Sequence, residues 1–319
     1  LVIAAYDIHQ VVTDKIVAAI EAGGLAPWHK PWSKVPGGAA SVAAPVNAVS
    51  AREYHGINVL TLWAASAVHG YTSGAWLTSK QAAELGGTLR KGQGKLYEPI
   101  VWSQRKDYTT RADGTPIVDS DGNPDTRSVW LTKFSFVYNV ASISGLPARF
   151  AEAGPVTLPG DERFAPLRAI VTGAAVPLHH GGERAYYRHS SGGDEEIRLP
   201  VPAAFTSPDL YWSTLAHEYT HATGHRLRCD RDLSGSFGSH RYAAEELVAE
   251  LGAAFICARF NIDSEPRADH ASYLAHWLGV LKEDKKAIFV AAAKAGQAAR
   301  WLYTAGGLDV AAAAAMAAK

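Results

Sequence analysis

Cysteine is almost absent from this chain of 319 residues, with only Cys229 and Cys257 present. Two cysteines outside any C-x-x-C pair build no disulfide framework, which excludes a small disulfide-stapled fold. Cys257 falls in an apolar stretch and is expected to pack, and Cys229 takes no role. No apolar run approaches the ~18 residues a membrane span needs, and no charged-then-apolar leader opens the sequence, so a cytoplasmic protein without a membrane partner is expected. Net charge is also missing: 31 Lys+Arg balance 31 Asp+Glu. The balance is uneven along the chain. Residues 1–150 hold 14 basic against 11 acidic side chains, which permits a nucleic-acid-binding front half without demanding one. Hydrophobic content of 47% and charged content of 19% fit an ordinary globular protein, and the length allows two domains.

What is present centres on Leu215-Ala216-His217-Glu218-Tyr219-Thr220-His221. On a helix, positions i and i+4 stand one above the other, so His217 and His221 can offer two imidazole nitrogens to one metal ion. Glu218 lies one residue round the same face, placed to take a proton from an attacking water. Ser207-Pro208-Asp209 supplies an N-cap, a first-turn proline and an acid at the positive dipole end, and Gly224 allows a stop. H-E-x-x-H alone is short enough to recur by accident. Its capped, apolar surroundings and a second acid-bearing helix downstream give it weight.

That second helix is expected over 243–260. Zinc needs a third protein ligand, and Glu246 and Glu250 share one face by their i,i+4 spacing. Glu245 should point about 100° away into solvent. From Leu251 to Ala258 no charge occurs, so the Glu246 face borders the core, where a carboxylate needs a partner. Glu246 is the expected ligand, with Glu250 as hydrogen-bond acceptor for a ligand histidine, and the reverse assignment stays open. His225 is a further candidate, two residues too early for the H-x-x-G-x-x-H extension. Tyr242, His225 and His240 are candidates for stabilising an oxyanion.

Taken in order, the periodicity predicts a helix over 7–22 and a second over 58–69, a short one at 79–85, and strands at 96–102 and 129–139, with Phe134, Phe136 and Tyr138 on one face. Residues 105–127, dense in Asp, Gly, Thr and Asn, read as a long hairpin loop or mobile insertion. In the front half, Trp28 and Trp32 flank Lys30 in a proline-stiffened segment, and Arg90, Lys91 and Lys95 occupy a glycine-punctuated turn. Aromatic faces interleaved with cations suit single-stranded DNA, because bases stack and phosphates pair. Trp63 and Trp102 are expected in the core. The Gly- and Pro-rich stretch leading to Pro159 reads as a linker. It divides the chain into 1–145, a linker at 146–160, a domain at 161–304 and a flexible tail at 305–319. Beyond the linker, a helix is expected at 164–174, strands at 183–189 and 195–199, and one or two helices across 272–303. A strand next to a metal helix commonly lines a cleft where a peptide pairs by β-addition.

These stretches converge on one family. Ala26-Pro27-Trp28-His29-Lys30-Pro31-Trp32, Tyr54-His55-Gly56-Ile57-Asn58, Trp76-Leu77-Thr78-Ser79-Lys80-Gln81 and Leu89-Arg90-Lys91-Gly92 carry the resemblance at the front. Asp194-Glu195-Glu196-Ile197-Arg198-Leu199-Pro200, the segment from His217 to His225, and Tyr242-Ala243-Ala244-Glu245-Glu246-Leu247-Val248-Ala249-Glu250 carry it at the back. The sequence resembles the ArdC-type antirestriction proteins of conjugative plasmids and related mobile elements. The resemblance implies an α+β protein of two domains: a small α+β single-stranded-DNA-binding domain, and a zincin-like, mostly helical metallopeptidase domain with a short antiparallel sheet. It implies one zinc per chain on His217, His221 and Glu246, Glu218 as general base, an unidentified protein or peptide substrate, and protection of incoming DNA from host restriction. The 105–127 insertion is longer and more polar than the family pattern. The competing expectation is a protein that shields single-stranded DNA around a purely structural metal. A closed structural site takes four protein ligands, whereas two histidines and one glutamate leave a position open.

Overall fold

The apolar spacing at the front produces α1 (Ile8–Gly23), whose Val12, Ile16 and Ile20 are essentially inaccessible to solvent. The structure, a computed structural model, describes residues 7–23, 44–111, 113–150, 160–190, 193–235, 239–263 and 270–308. Trp28, Lys30 and Trp32, most of the expected linker and the tail beyond Leu308 lie outside the described residues.

After α1 come β1 (Val46–Asn47), α2 (Ile57–His69), β2 (Ala75–Leu77), α3 (Ser79–Glu84), β3 (Thr88–Leu89), β4 (Glu98–Tyr108), β5 (Arg127–Asn139) and β6 (Ile143–Ser144). The four-stranded sheet runs β1-β2-β5-β4, and β3 pairs with β6 in a second, two-stranded sheet. Thr78 and Gln81 form a reciprocal capping box that fixes the start of α3. β4 and β5 stay in unbroken antiparallel register from Glu98 opposite Val137 to Tyr108 opposite Arg127. Both strands therefore run beyond the expected ends at 102 and 129, and much of the supposed insertion is a hairpin arm. Its outer half buries neither face, so no hydrophobic alternation marks it in the sequence; backbone pairing alone defines it. β4 is the sheet edge, and there the Asn58 side chain behaves as a fragment of strand. Its Nδ2 donates to the Val101 carbonyl and its Oδ1 accepts from the Val101 N–H, both at 2.7 Å.

The back half contains α4 (Ala165–Ala174), β7 (Leu178–His180), β8 (Tyr186–His189), β9 (Glu195–Leu199), α5 (Pro208–Ala222), α6 (His240–Arg259), α7 (His270–Glu283) and α8 (Ala287–Ala305). β8 and β9 form the expected antiparallel pair. β7, too short to show a period, adds parallel to β9, giving the order β7-β9-β8 with β8 on a free edge. The two families of elements make an α+β fold of two domains.

Those domains share a core. Val12, Ile16, Leu60 and Trp63 belong to the same buried cluster as Leu215, Leu251, Ile288 and Ala292. Each such Val, Leu or Ile side chain stabilises the fold by about 1.5–3 kcal/mol when fully buried. Thr13 Oγ1 donates to the Lys285 carbonyl at 2.8 Å, and Arg259 pairs with Glu53 at 3.0 Å, so polar ties cross the same junction. Periodicity reveals that a helix face is buried but not which partner covers it.

Candidate metal centre and its cleft

Ser207 caps α5 as its sequence requires, its hydroxyl accepting from the Leu210 N–H at 3.1 Å. From that start the helix carries His217, Glu218 and His221 into a buried seam with α6. Gly252 permits the close approach: a β-carbon there would sit 2.4 Å from Thr220 Cγ2. With the backbones this near, Glu246 of α6 reaches both histidines. Its carboxylate lies 3.5 Å from His217 Nε2 and 3.6 Å from His221 Nε2. The two Nε2 atoms are 3.1 Å apart. One donor atom from each of His217, His221 and Glu246 falls within 4.8 Å of the others.

This donor set suits a cation. Two buried imidazole nitrogens facing each other can share one proton, and the carboxylate brings a negative charge that burial disfavours. Burial acts to lower the His221 pKa, yet the Glu245 carboxylate in hydrogen-bond contact and the Glu246 carboxylate close by outweigh it and raise the value to about 10. For Glu246 burial acts upward, and the nearby His217 and His221 imidazoles reverse it, holding the carboxyl far below the usual range. A divalent ion would satisfy all three groups together, in place of a proton.

Two surrounding carboxylates, Glu245 and Glu250, differ from expectation. Glu245 is not solvated. Its carboxylate is 12% exposed and receives Arg231 through Nε at 2.9 Å and Nη2 at 2.7 Å. Its Oε1 lies 3.2 Å from His221 Nδ1. Arg231 also donates to Thr223 Oγ1 and to the Thr220 carbonyl, both at 2.7 Å, tying α5 and α6 together behind the histidine. A helical-wheel angle missed this because Arg231 comes from a loop, folded over a position that the wheel alone leaves in water. Glu250 Oε1 stands 3.7 Å from His217 Nδ1, an ion-pair distance beyond hydrogen-bond reach.

A cavity of about 520 Å³ opens over the seam, lined by His217, Glu218, His221 and Glu246 below and by Tyr186, Tyr187 and His189 of β8 above. β8, the edge strand of its sheet, therefore borders the cleft. Tyr187 donates to Glu195 at 2.9 Å, and Arg228 joins the same carboxylate to the Ala222 carbonyl, anchoring strand to helix end. Of the oxyanion candidates, Tyr242 lines this cleft, His225 lines a neighbouring cavity and His240 lines neither. Arg90, Lys91 and Lys95 are exposed in the front half, well separated in sequence from the seam. Trp63 is buried as expected, but Trp102 is 43% exposed on the arm, with the Lys133 ammonium 5.7 Å from its ring centre. Among the described residues no helix is long and apolar enough to cross a membrane.

Comparison with known proteins finds two family models that match successive parts of the chain. Residues 6–137 match the family model of the N-terminal domain of anti-restriction factor ArdC, and residues 165–294 match that of a zincin-like metallopeptidase. An uncharacterized protein of Sinorhizobium fredii, y4eC, is 38% identical over 93% of this chain and 92% of its own length. The DNA primase TraC of Escherichia coli is 36% identical over 90% of this chain, which spans only 26% of that larger protein. The antirestriction protein ArdC of plasmid R388, in its metal-free crystal structure, superposes with a TM-score of 0.73 at 33% identity, covering 95% of this chain and 98% of that one. Its Mn(II)-bound structure gives a TM-score of 0.71 at 34% identity, and points to a divalent metal in this fold. With matched sequence, matched fold and a donor set suited to such an ion, the chain belongs to the ArdC-type antirestriction family.

Proposed function

We propose that this antirestriction protein binds single-stranded DNA through its front half and hydrolyses a protein or peptide at one zinc per chain, protecting incoming mobile-element DNA from restriction in the cytoplasm. The observation that carries the peptidase reading is the convergence of His217, His221 and Glu246 with Glu218 in the wall of one cleft. His217 and His221 would hold the ion through Nε2, and Glu246 through its carboxylate. Zinc, when bound, supplies Lewis-acid polarisation of the scissile carbonyl and of a water. Glu218 takes the proton from the attacking water and delivers it to the leaving amine. The β8 edge offers backbone groups for an extended peptide. Three protein donors leave the fourth position open, which favours catalysis over a structural metal in a DNA shield.

Glu218→Gln tests the assignment. Zinc content by metal analysis should match the parent while cleavage of an unfolded protein substrate disappears. Activity surviving in that variant would remove Glu218 from the chemistry.

A further inference from the structure

The hairpin arm displays aromatic side chains where a soluble protein usually hides them. Trp130 is 68% exposed, Phe134 and Tyr97 41% each, and Phe136 38%. They form a row rather than scattered singles. Trp130, Phe134 and Phe136 alternate along β5 and so project to one side, while Val137 and Asn139 turn into the core. Tyr97 closes the lower end, its ring 4.7 Å from Phe136 and 6.5 Å from Tyr138, and Phe134 follows 5.7 Å beyond Phe136.

Cations mark both ends of this row. At the lower end, Lys95 is two residues before Tyr97, and the Arg90 N–H donates to the Ser142 carbonyl, which ties the Arg90–Lys95 turn to the segment just past β5. Arg90, Lys91 and Lys95 make no ion pair among the described residues. At the upper end Arg105 sits directly opposite Trp130. Its one ion pair, to Asp107 at 2.8 Å, is solvent-exposed and weak enough for a phosphate to replace. Above Arg105 acids outnumber cations, with Asp107, Asp113, Asp119, Asp121 and Asp125 against Lys106, Arg111 and Arg127, so the tip of the arm is less favourable to a phosphate chain.

Resting on the nucleic-acid reading above, we infer that a single strand of nucleic acid lies along the Tyr97–Phe136–Phe134–Trp130 row, its phosphates held by the Arg90–Lys95 turn and by Arg105. Stacking on a sheet-borne aromatic row is sequence-tolerant, because every base has a π-face, and a duplex hides those faces. The eight residue steps from Trp130 to Tyr138 span about 26 Å at ~3.3 Å per step, room for several nucleotides. An apolar protein partner fits the row less well, because the cations at its ends would lose hydration without gaining a partner charge.

The test uses the full chain and a fluorescent oligothymidylate, read by anisotropy against a duplex of equal length. Phe134→Leu with Phe136→Leu keeps apolar bulk but removes both π-faces, and should weaken single-strand binding about tenfold or more. Phe134→Tyr with Phe136→Tyr should stay within about threefold of the parent. Trp130→Ala, at a site too exposed to endanger the fold, should weaken binding about fivefold and decides the matter if circular dichroism shows the leucine pair unfolded. Neutralising Arg90, Lys91 and Lys95 to Gln should flatten the salt dependence by about two units of log–log slope. A parent that binds while the folded leucine pair and Trp130→Ala bind equally well overturns this surface and leaves DNA binding intact elsewhere. A parent that shows no affinity for the strand overturns the DNA-binding reading itself, and this inference with it.

Discussion

The α5–α6 seam and the β4–β5 arm break the rule of burial in opposite directions. In the seam, His217, Glu218, Glu246 and Glu250 are each below 9% exposed, in a setting where charge is disfavoured. On the arm, Trp130, Phe134 and Phe136 face water, where apolar surface is disfavoured. Each region is unfavourable alone and would become favourable with a ligand of opposite character: a cation for the seam and, on the inference above, stacked bases for the arm. Exposure set against chemical type marks both regions out, beyond what either motif says.

The largest effect is expected from physically separating the two regions. Truncation near Leu146 would expose the apolar faces of α1 and α2 that pack against α7 and α8. The fragment is expected to unfold or aggregate, seen as lost helical signal, so the independence of the two sites is better measured by point variants in the whole chain. A folded, cooperative fragment would mean the shared core contributes little.

Next in size is Glu246→Ala. It should weaken metal binding more than about 100-fold, beyond the usual effect of outer partners. Glu250→Ala should weaken it less, since its carboxylate is 3.7 Å from His217 Nδ1, on the ring side away from Glu246. The opposite order in a chelator competition would move the ligand to Glu250. Arm binding should be untouched by both.

Arg231→Gln and Glu245→Gln probe the support of His221. Either should loosen metal affinity by about 10–100-fold while leaving the ligands in place. If affinity holds in both, the carboxylate does not set the histidine's orientation. Smallest is Gly252→Ala. The added methyl would meet Thr220 and push the helices apart, costing about 1–3 kcal/mol. A drop of several degrees in Tm at roughly 2–4 °C per kcal/mol is expected, with weakened metal binding alongside. An unchanged melt would show that the seam yields freely.

Much of the seam is legible in the sequence because helical spacing converts directly into shared faces. His217, His221 and Glu246 come together as their spacing implies, and Ser207 caps as its chemistry implies. Glu245 is not legible, because its partner Arg231 arrives through a loop whose path no periodicity records. The arm is legible only in part. Phe134, Phe136 and Tyr138 alternate visibly, but alternation predicts a face and not whether protein or solvent covers it. Trp102 is the same lesson: a large apolar ring reads as core, yet it stands 43% exposed with the Lys133 ammonium over it. The shared core is invisible for a related reason, since a buried face does not name its partner.

Asn58 has a consequence for the protein at high concentration. A long hairpin with an open edge is a template on which further copies can add, strand upon strand, into insoluble fibres. By occupying both the N–H and the carbonyl of Val101, the amide of Asn58 removes a pair of anchor points from the lower part of that edge, nearest the apolar row. At that point the amide blocks a docking strand as well as holding α2 to β4.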